Sequence, residues 1–323
     1  MIDKEEYQLI VDAAVLYYLE GKIQSEIAKE LYLSRPKVSR LLKKARELKI
    51  VDITINYQSD EMERLQGEVR RIFGIPNVIV VKTLSDENET LRQVGKAAAK
   101  ELGMVLHDDM ILGISWGKHV RMTSSYLKKH NYKNMDVVEL FGAISYDVEQ
   151  KDMLSIGKDV AGKLNGSLYP LSAPIYVKDP LAREAIVQTP IIKRTLETIE
   201  ECDLILTGIG VVEGNSLQTL WDNYVDFDMK RKVIVNGGVG FILAHFFNDK
   251  GEFLDIEANE TIIGIRTETI KKKPIMAMAS GTSKAKAIHA ALKGGLLDTI
   301  VSDEDTLKMV VEIEKNKKER TVL

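Results

Sequence analysis

Three apolar runs of this chain end in loops whose residue types suit an anion. Met110–Ile114 leads into Ser115-Trp116-Gly117-Lys118-His119, Asp203–Thr207 into Gly208-Ile209-Gly210, and Pro274–Ala279 into Ser280-Gly281-Thr282-Ser283-Lys284. The first sets an ammonium and an imidazole beside the free N–H groups at the start of a helix. In the second, two glycines let the backbone come close to a ligand. The third puts Lys284 in the first turn of a helix, where a cation opposes the helix dipole unless an anion sits nearby. Each loop alone is ordinary, because glycine-rich strand ends and solvated first-turn lysines are common. Together they describe an anion site.

A second cationic group lies near the N-terminus. Between Ser34 and Lys49 stand Arg35, Lys37, Arg40, Lys43, Lys44, Arg46 and Lys49 against Glu47 alone, in a chain whose net charge is −3. Such a run is usually a solvated helix face, so its context decides. Leu9, Ala13, Leu16 and Leu19 recur at helical spacing up to Gly21, predicting a first helix of about four turns. Ile27, Ala28, Leu31, Leu33, Val38, Leu41 and Leu42 then fit two short helices packed across a tight turn at Tyr32-Leu33. Ser34 reads as an N-cap and Pro36 suits the first turn that follows. With Val38, Leu41, Leu42 and Ala45 facing inward, the exposed side is basic. Ser34, Arg35, Lys37, Ser39 and Arg40 then reach base edges and nearby phosphates as a recognition helix does, with Lys43 and Lys44 on phosphate. Ile50–Ile55 reads as a short strand, which makes the head winged.

The elements that must position the three loops alternate along the rest of the chain. Strands are expected at Val78–Val81, Met110–Ile114, Asp136–Phe141, Ser167–Leu171, Asp203–Thr207, Ile262–Ile265 and Pro274–Ala279. Helices are expected at Leu91–Leu106, Val120–Lys129, Ser155–Leu164, Leu181–Glu201 and Ala285–Lys293. Alternation of this kind means a mostly parallel sheet covered on both faces, with ligands beyond the carboxyl ends of its strands. The fold class is therefore α/β: a winged helix-turn-helix over 1–56, a hinge over 57–61, and a Rossmann-like layered α/β domain over 62–323.

Composition narrows the classes further. A chain of 323 residues with 45% hydrophobic and 29% charged residues, 22 Gly and 7 Pro suits a globular protein of two domains, and neither a disordered chain nor a fibre. It has no apolar run of the roughly 18–20 residues that cross a bilayer and no secretory leader, so a cytoplasmic protein without a membrane partner is expected. Cys202 is the one cysteine, and His107, His119, His130, His245 and His289 lack metal-ligand spacing. Neither a metal nor a cofactor is expected.

The segment Gln24–Glu47, QSEIAKELYLSRPKVSRLLKKARE, closely resembles the N-terminal head of SorC-type regulators of bacterial sugar metabolism. GISWGKHV, LTGIG, GGVGFILAHFFNDKG and AMASGTSKAKAIHAALKGGLLDTIVSD resemble, in the same order and spacing, the sugar-binding domain of that family. The resemblance implies a DNA-binding regulator of a sugar catabolic operon, taken as a repressor. Its partners would be operator DNA, a phosphorylated sugar and further copies of itself in a dimer or tetramer. It also implies a C-terminal fold similar to ribose-5-phosphate isomerases and glucosamine-6-phosphate deaminases. By that likeness Gly117, Lys118, His119 and Lys284 hold the phosphate, with Ser115 and Gly281 in the same loops, and Gly142, Gly208, Gly210 and Phe241 surround the sugar. The chain departs from the family pattern at Tyr32, where a turn glycine is usual, at Lys118-His119, where hydroxyl residues are frequent, and at Phe241, where an acidic residue is frequent.

The same likeness raises an alternative, a sugar-phosphate isomerase or deaminase with a DNA-binding appendage. Deaminases follow their glycine loop with Asp-Gly-His, whereas Gly210 is followed here by Val211-Val212-Glu213-Gly214-Asn215. Asparagine cannot shuttle a proton at neutral pH, which argues against an enzyme.

Overall fold

The structure is a computed structural model and describes residues 3–48, 50–51, 60–143, 156–212 and 227–322, with side chains described as far as Lys317. Its contacts divide the chain into two compact units, Met1–Tyr57 and Gln58–Leu323.

In the first unit, α1 (Lys4–Ala14) is capped by Asp3, whose carboxylate accepts the Glu6 N–H at 2.6 Å. The helix runs on through one wider turn, Val15–Leu19, with π-type bonding. That turn adds a residue to the helical repeat, so the inward stripe is Ile10, Ala13, Ala14 and Leu16, while Leu19 is 81% exposed instead of buried as its spacing suggested. Helix α2 (Gln24–Glu30) and helix α3 (Arg35–Glu47) complete the motif. The inward face of α3 is the expected one: Val38, Leu41, Leu42 and Ala45 are buried with Ile27 and Ala28 of α2. Ser34 occupies the N-cap position, but its side chain makes no capping hydrogen bond. Of the expected wing strand, Ile50 and Val51 form only a bend and residues 52–55 lie outside the described residues.

The second unit is built on a seven-stranded, wholly parallel sheet. Its strands are β1 (Asn77–Val81), β2 (Ile111–Ile114), β3 (Asp136–Glu139), β4 (Ser167–Tyr169), β5 (Leu204–Gly208), β9 (Ile275–Met278) and β10 (Thr299–Asp303), in the order β1-β10-β9-β5-β2-β3-β4. Strand residues alternate between two cores. Leu112, Val137, Leu204, Leu206, Met276, Met278 and Val301 face α5 (Glu87–Val105), α6 (Lys118–Tyr126) and α7 (Ile156–Leu164). Val78, Val80, Val138, Ile205, Ile275, Ala277 and Ile300 face α4 (Asp60–Phe73), α9 (Pro190–Glu201), α13 (Ala285–Lys293) and α14 (Glu304–Val322). Burial on both faces is what a parallel sheet requires. A three-stranded antiparallel sheet, β6 (Gly210–Val211), β7 (Gly238–Ile242) and β8 (His245–Asn248), is inserted between β5 and β9.

Several elements differ from the sequence reading. Asp60 and Glu61, assigned to a hinge, open α4. Ile262–Ile265 joins no sheet; Ile262 and Gly264 make isolated antiparallel bridges to Tyr176 and Phe141. The span Leu181–Glu201 is two helices, α8 (Pro180–Val187) and α9, because Pro190 cannot continue a helix but starts one well. Strand β10 and helices α4 and α14 were not anticipated.

Tyr32 gives this fold a direct stability test. Its φ is +54°, in the left-handed region that costs a side-chain-bearing residue roughly 1–2 kcal/mol relative to glycine, and its ring is 95% exposed. Tyr32→Gly loses no packing and is expected to stabilise the N-terminal unit by about 1 kcal/mol, read as slower amide exchange across α2 and α3.

Candidate functional site

The three anion-suited loops leave three neighbouring strands, β2, β5 and β9, at the same carboxyl edge of the sheet. After β2, the N–H of buried Ser115 donates to Leu206 O at 3.0 Å, which keeps the loop in register with β5. Trp116 follows, edge-on to Phe141 with ring centroids 5.3 Å apart. Gly117 then takes φ +138° as the N-cap of α6, so Lys118 and His119 open that helix. After β9, Ser280 and Gly281 (φ +99°) lead into a 3-10 turn, Thr282–Lys284, continuous with α13.

One hydrogen bond joins these loops: His119 Nε2 and Ser280 Oγ lie 2.9 Å apart. It ties the start of α6 to the residue that precedes the 3-10 turn. The loop after β5 is tied in by Lys284, whose Nζ donates to Ile209 O at 3.0 Å. Burial, and then the charge of Lys118, pull the Lys284 ammonium down to about 8. Burial, and then Lys284 and Lys118, hold His119 well below its usual range. His119 therefore enters the site as a neutral bridge and not as a cation. Exposed Lys118 and half-buried Lys284 repel one another, and an anion between them would relieve both.

The other expected site residues fall into groups. A Cβ at Gly208 would come no closer than ordinary contact with Met278 O. Gly210 pairs with Phe241 across β6 and β7, and a Cβ there would collide with the Phe241 ring. Gly142 is engaged by the backbone: its N–H donates to Ile263 O at 3.0 Å, and a Cβ would strike Ala173 O. Gly281 does not turn its amide to a ligand, because Asp303 Oδ1 accepts it at 2.9 Å. Two residues that sequence reasoning passed over matter here. Ser280 is the partner of His119, and buried Asp303 also accepts from Thr306 Oγ1 at 2.7 Å and Thr83 Oγ1 at 3.1 Å. The adjacency of Ser280 to Gly281 was visible; Asp303 ends a strand that was missed. Among the described residues no cluster of His, Cys, Asp and Glu could hold a metal, and no helix is long and apolar enough to cross a membrane.

On α3, Ser34, Arg35, Ser39, Arg40 and Lys43 are exposed and Lys37 is half-buried. Lys44 departs from expectation, since its ammonium pairs with the Glu6 carboxylate and ties α3 to α1. Lys43 lies 4.0 Å from Glu47, one turn on.

With both surfaces described, comparison with known proteins decides the family. Residues 58–312 match the family described as "Putative sugar-binding domain". The chain belongs to this sugar-binding family. The sorbitol operon regulator of Klebsiella pneumoniae is 27% identical over 323 residues, covering 97% of this chain and 100% of that protein. The transcriptional regulator LsrR of an Enterobacter species is 30% identical over 314 residues, covering 95% and 94%. The crystal structure of the full-length Klebsiella regulator, SorC, superposes with a TM-score of 0.74 at 25% identity, covering 96% of this chain and all of that one. These relatives are named as regulators and not as enzymes, and the resemblance to SorC-type proteins is borne out. The relatives cover the N-terminal head as well as the sugar-binding domain.

The crowded lysines of that domain can be tested directly. Lys118→Ala removes the repulsion but not the burial, so the Lys284 amine is expected to titrate above 8 while staying below 10.5. Competitive acetylation read by mass spectrometry measures it, with slower modification of Lys284 at pH 8 as the expected result.

Proposed function

We propose that the chain is a transcriptional regulator, a repressor of a sugar catabolic operon, in which residues 1–56 bind operator DNA and residues 62–323 bind a phosphorylated sugar, with residues 57–61 between them. The His119–Ser280 hydrogen bond supports this reading, because it joins the loop that carries Lys118 to the loop that carries Lys284. A phosphate ester suits these joined loops: it offers two negative charges to two crowded cations and several oxygens to the N–H groups that begin α6 and the 3-10 turn. Ser115, Gly117 and Gly281 shape the loops around it, and Gly208, Gly210 and Phe241 border the sugar. Gly142 contributes by letting strand-end backbones approach.

In the head, Arg35, Lys37 and Arg40, with Ser34 and Ser39, supply base and nearby phosphate contacts, and Lys43 supplies a phosphate contact. One such head reads only a few base pairs, so specificity calls for two or more heads on a repeated site. A dimer or tetramer assembled through the larger unit meets that need. A catalytic role finds no support among regulators that match along the whole chain, and Glu213 and Asn215 lie outside the described residues.

Footprinting on chromosomal fragments flanking the gene supplies an operator on which both halves are tested. Arg40→Ala is expected to weaken specific binding by about 1–3 kcal/mol, and unchanged affinity in an Arg35/Arg40 double alanine variant would refute the role of α3. Lys284→Ala is expected to leave ligand-free operator binding intact while abolishing the response to sugar phosphates. A variant that responds at wild-type concentrations removes Lys284 from the anion site.

A further inference from the structure

Tyr32 is held in a conformation that suits its residue type poorly. Helix α2 ends in a paired-hydrogen-bond cap: the Leu33 N–H donates to Ala28 O at 2.8 Å and the Tyr32 N–H to Lys29 O at 3.3 Å. Such a cap requires a left-handed residue at the position Tyr32 fills, and glycine takes it without a steric penalty. Tyrosine does so at φ +54°, its Cβ crowded against the backbone. The side chain recovers nothing from packing. Its ring is 95% exposed, and its hydroxyl has no partner among the described residues. Backbone strain and a fully exposed aromatic ring are independent costs, and the folded unit by itself accounts for neither. An outlier of this kind points to function.

Its place in the motif says which function. Half-buried Leu33 pins the turn to the head. Tyr32 stands two residues before Ser34, which opens α3, and lies between exposed Lys29 at the end of α2 and exposed Arg35 at the start of α3. In a helix-turn-helix the first helix crosses the nucleic-acid backbone and the second enters the major groove by its N-terminal end. The turn between them passes the rim of the groove, where phosphates lie. A phenol there is an uncharged donor to phosphate, a frequent kind of positioning contact.

We infer that Tyr32 is a DNA contact, its hydroxyl donating to a backbone phosphate at the rim of the groove that receives α3. This rests on the reading of the first unit as a DNA-binding head. The contact adds affinity and fixes register without reading sequence.

The test needs no operator. A fluorescein-labelled duplex of mixed sequence is titrated with the full chain at several KCl concentrations, for the wild type, Tyr32→Phe, Tyr32→Gly and the Arg35/Arg40 double alanine. Tyr32→Phe keeps the ring and the backbone strain and removes only the donor. It is expected to weaken binding about threefold to tenfold, the worth of one neutral hydrogen bond, with the salt slope unchanged because no charge is removed. Tyr32→Gly is expected to weaken binding at least as much even though it relieves the strain, a combination that a purely structural residue would not produce. Wild-type affinity in Tyr32→Phe overturns the inference, as does a loss accompanied by a shallower salt slope. If the double alanine also binds as the wild type does, the DNA-binding reading itself has failed; if it alone loses binding, only the contact from Tyr32 has.

Discussion

A half-buried ammonium, Lys284, held beneath an exposed one, Lys118, is the interaction on which the carboxyl edge of the second unit turns. Lys118 and Lys284 come from loops on strands separated by β5, and burial, then the charge of Lys118, disfavours the charged form of Lys284. Nothing in the sheet requires those loops to be joined. Their loops are joined because the neutral imidazole of His119 bridges to Ser280, and Lys284 is held because Ile209 O offers it an acceptor. Imidazole suits the bridge because burial between two cations keeps it neutral, where another cation would add to the repulsion.

Strand direction makes this arrangement possible. In an antiparallel sheet, loops after neighbouring strands point to opposite edges; in this one, β2, β5 and β9 all release their loops at one edge. Asp303, at the end of β10, extends the same device. Its two carboxylate oxygens hold the Gly281 N–H, Thr306 and the Thr83 hydroxyl, so the loops after β1 and β9 are fixed to the start of α14 by one buried side chain. The anion-suited loop after β9 is thereby hydrogen-bonded to its neighbours independently of any ligand, and such pre-organisation lowers the ordering cost of binding.

The parts legible in the sequence are those where one physical signal acts alone. Apolar runs marked β1, β2, β5 and β9, the last three followed by glycine-bearing loops, because strands of a covered parallel sheet are largely apolar. The inward face of α3 followed from its 3.6-residue repeat. The losses have equally local causes. The hairpin joining β7 and β8 turns on Leu243 and Ala244, both at positive φ, where Asn-Gly would have announced it. Strand β10 ends in Ser302-Asp303, whose polarity hides a buried strand end. Leu19 was misplaced by a π-type turn that periodicity cannot show. At the site, spacing located the three loops but not their union, since the hydrogen bond joining them spans 161 positions of sequence.

The head divides its basic residues by a simple electrostatic rule. Lys44, beside Glu6, is drawn into an internal pair, and Lys43 has Glu47 one turn away. Arg35, Lys37 and Arg40, nearer the start of α3, have no such carboxylate among the described residues, so their charge stays available to solvent or to phosphate. Arg35 and Lys37, in the first turn of α3, are the ones that the helix dipole disfavours, since cations at a helix N-terminus oppose it. Binding an anionic surface cancels that opposition, as it cancels the repulsion between Lys118 and Lys284 in the other unit. In a chain whose net charge is −3, this patch is a local excess of positive charge. In both units, then, positive charge is gathered where the fold itself does not neutralise it, and an anion would relieve that excess.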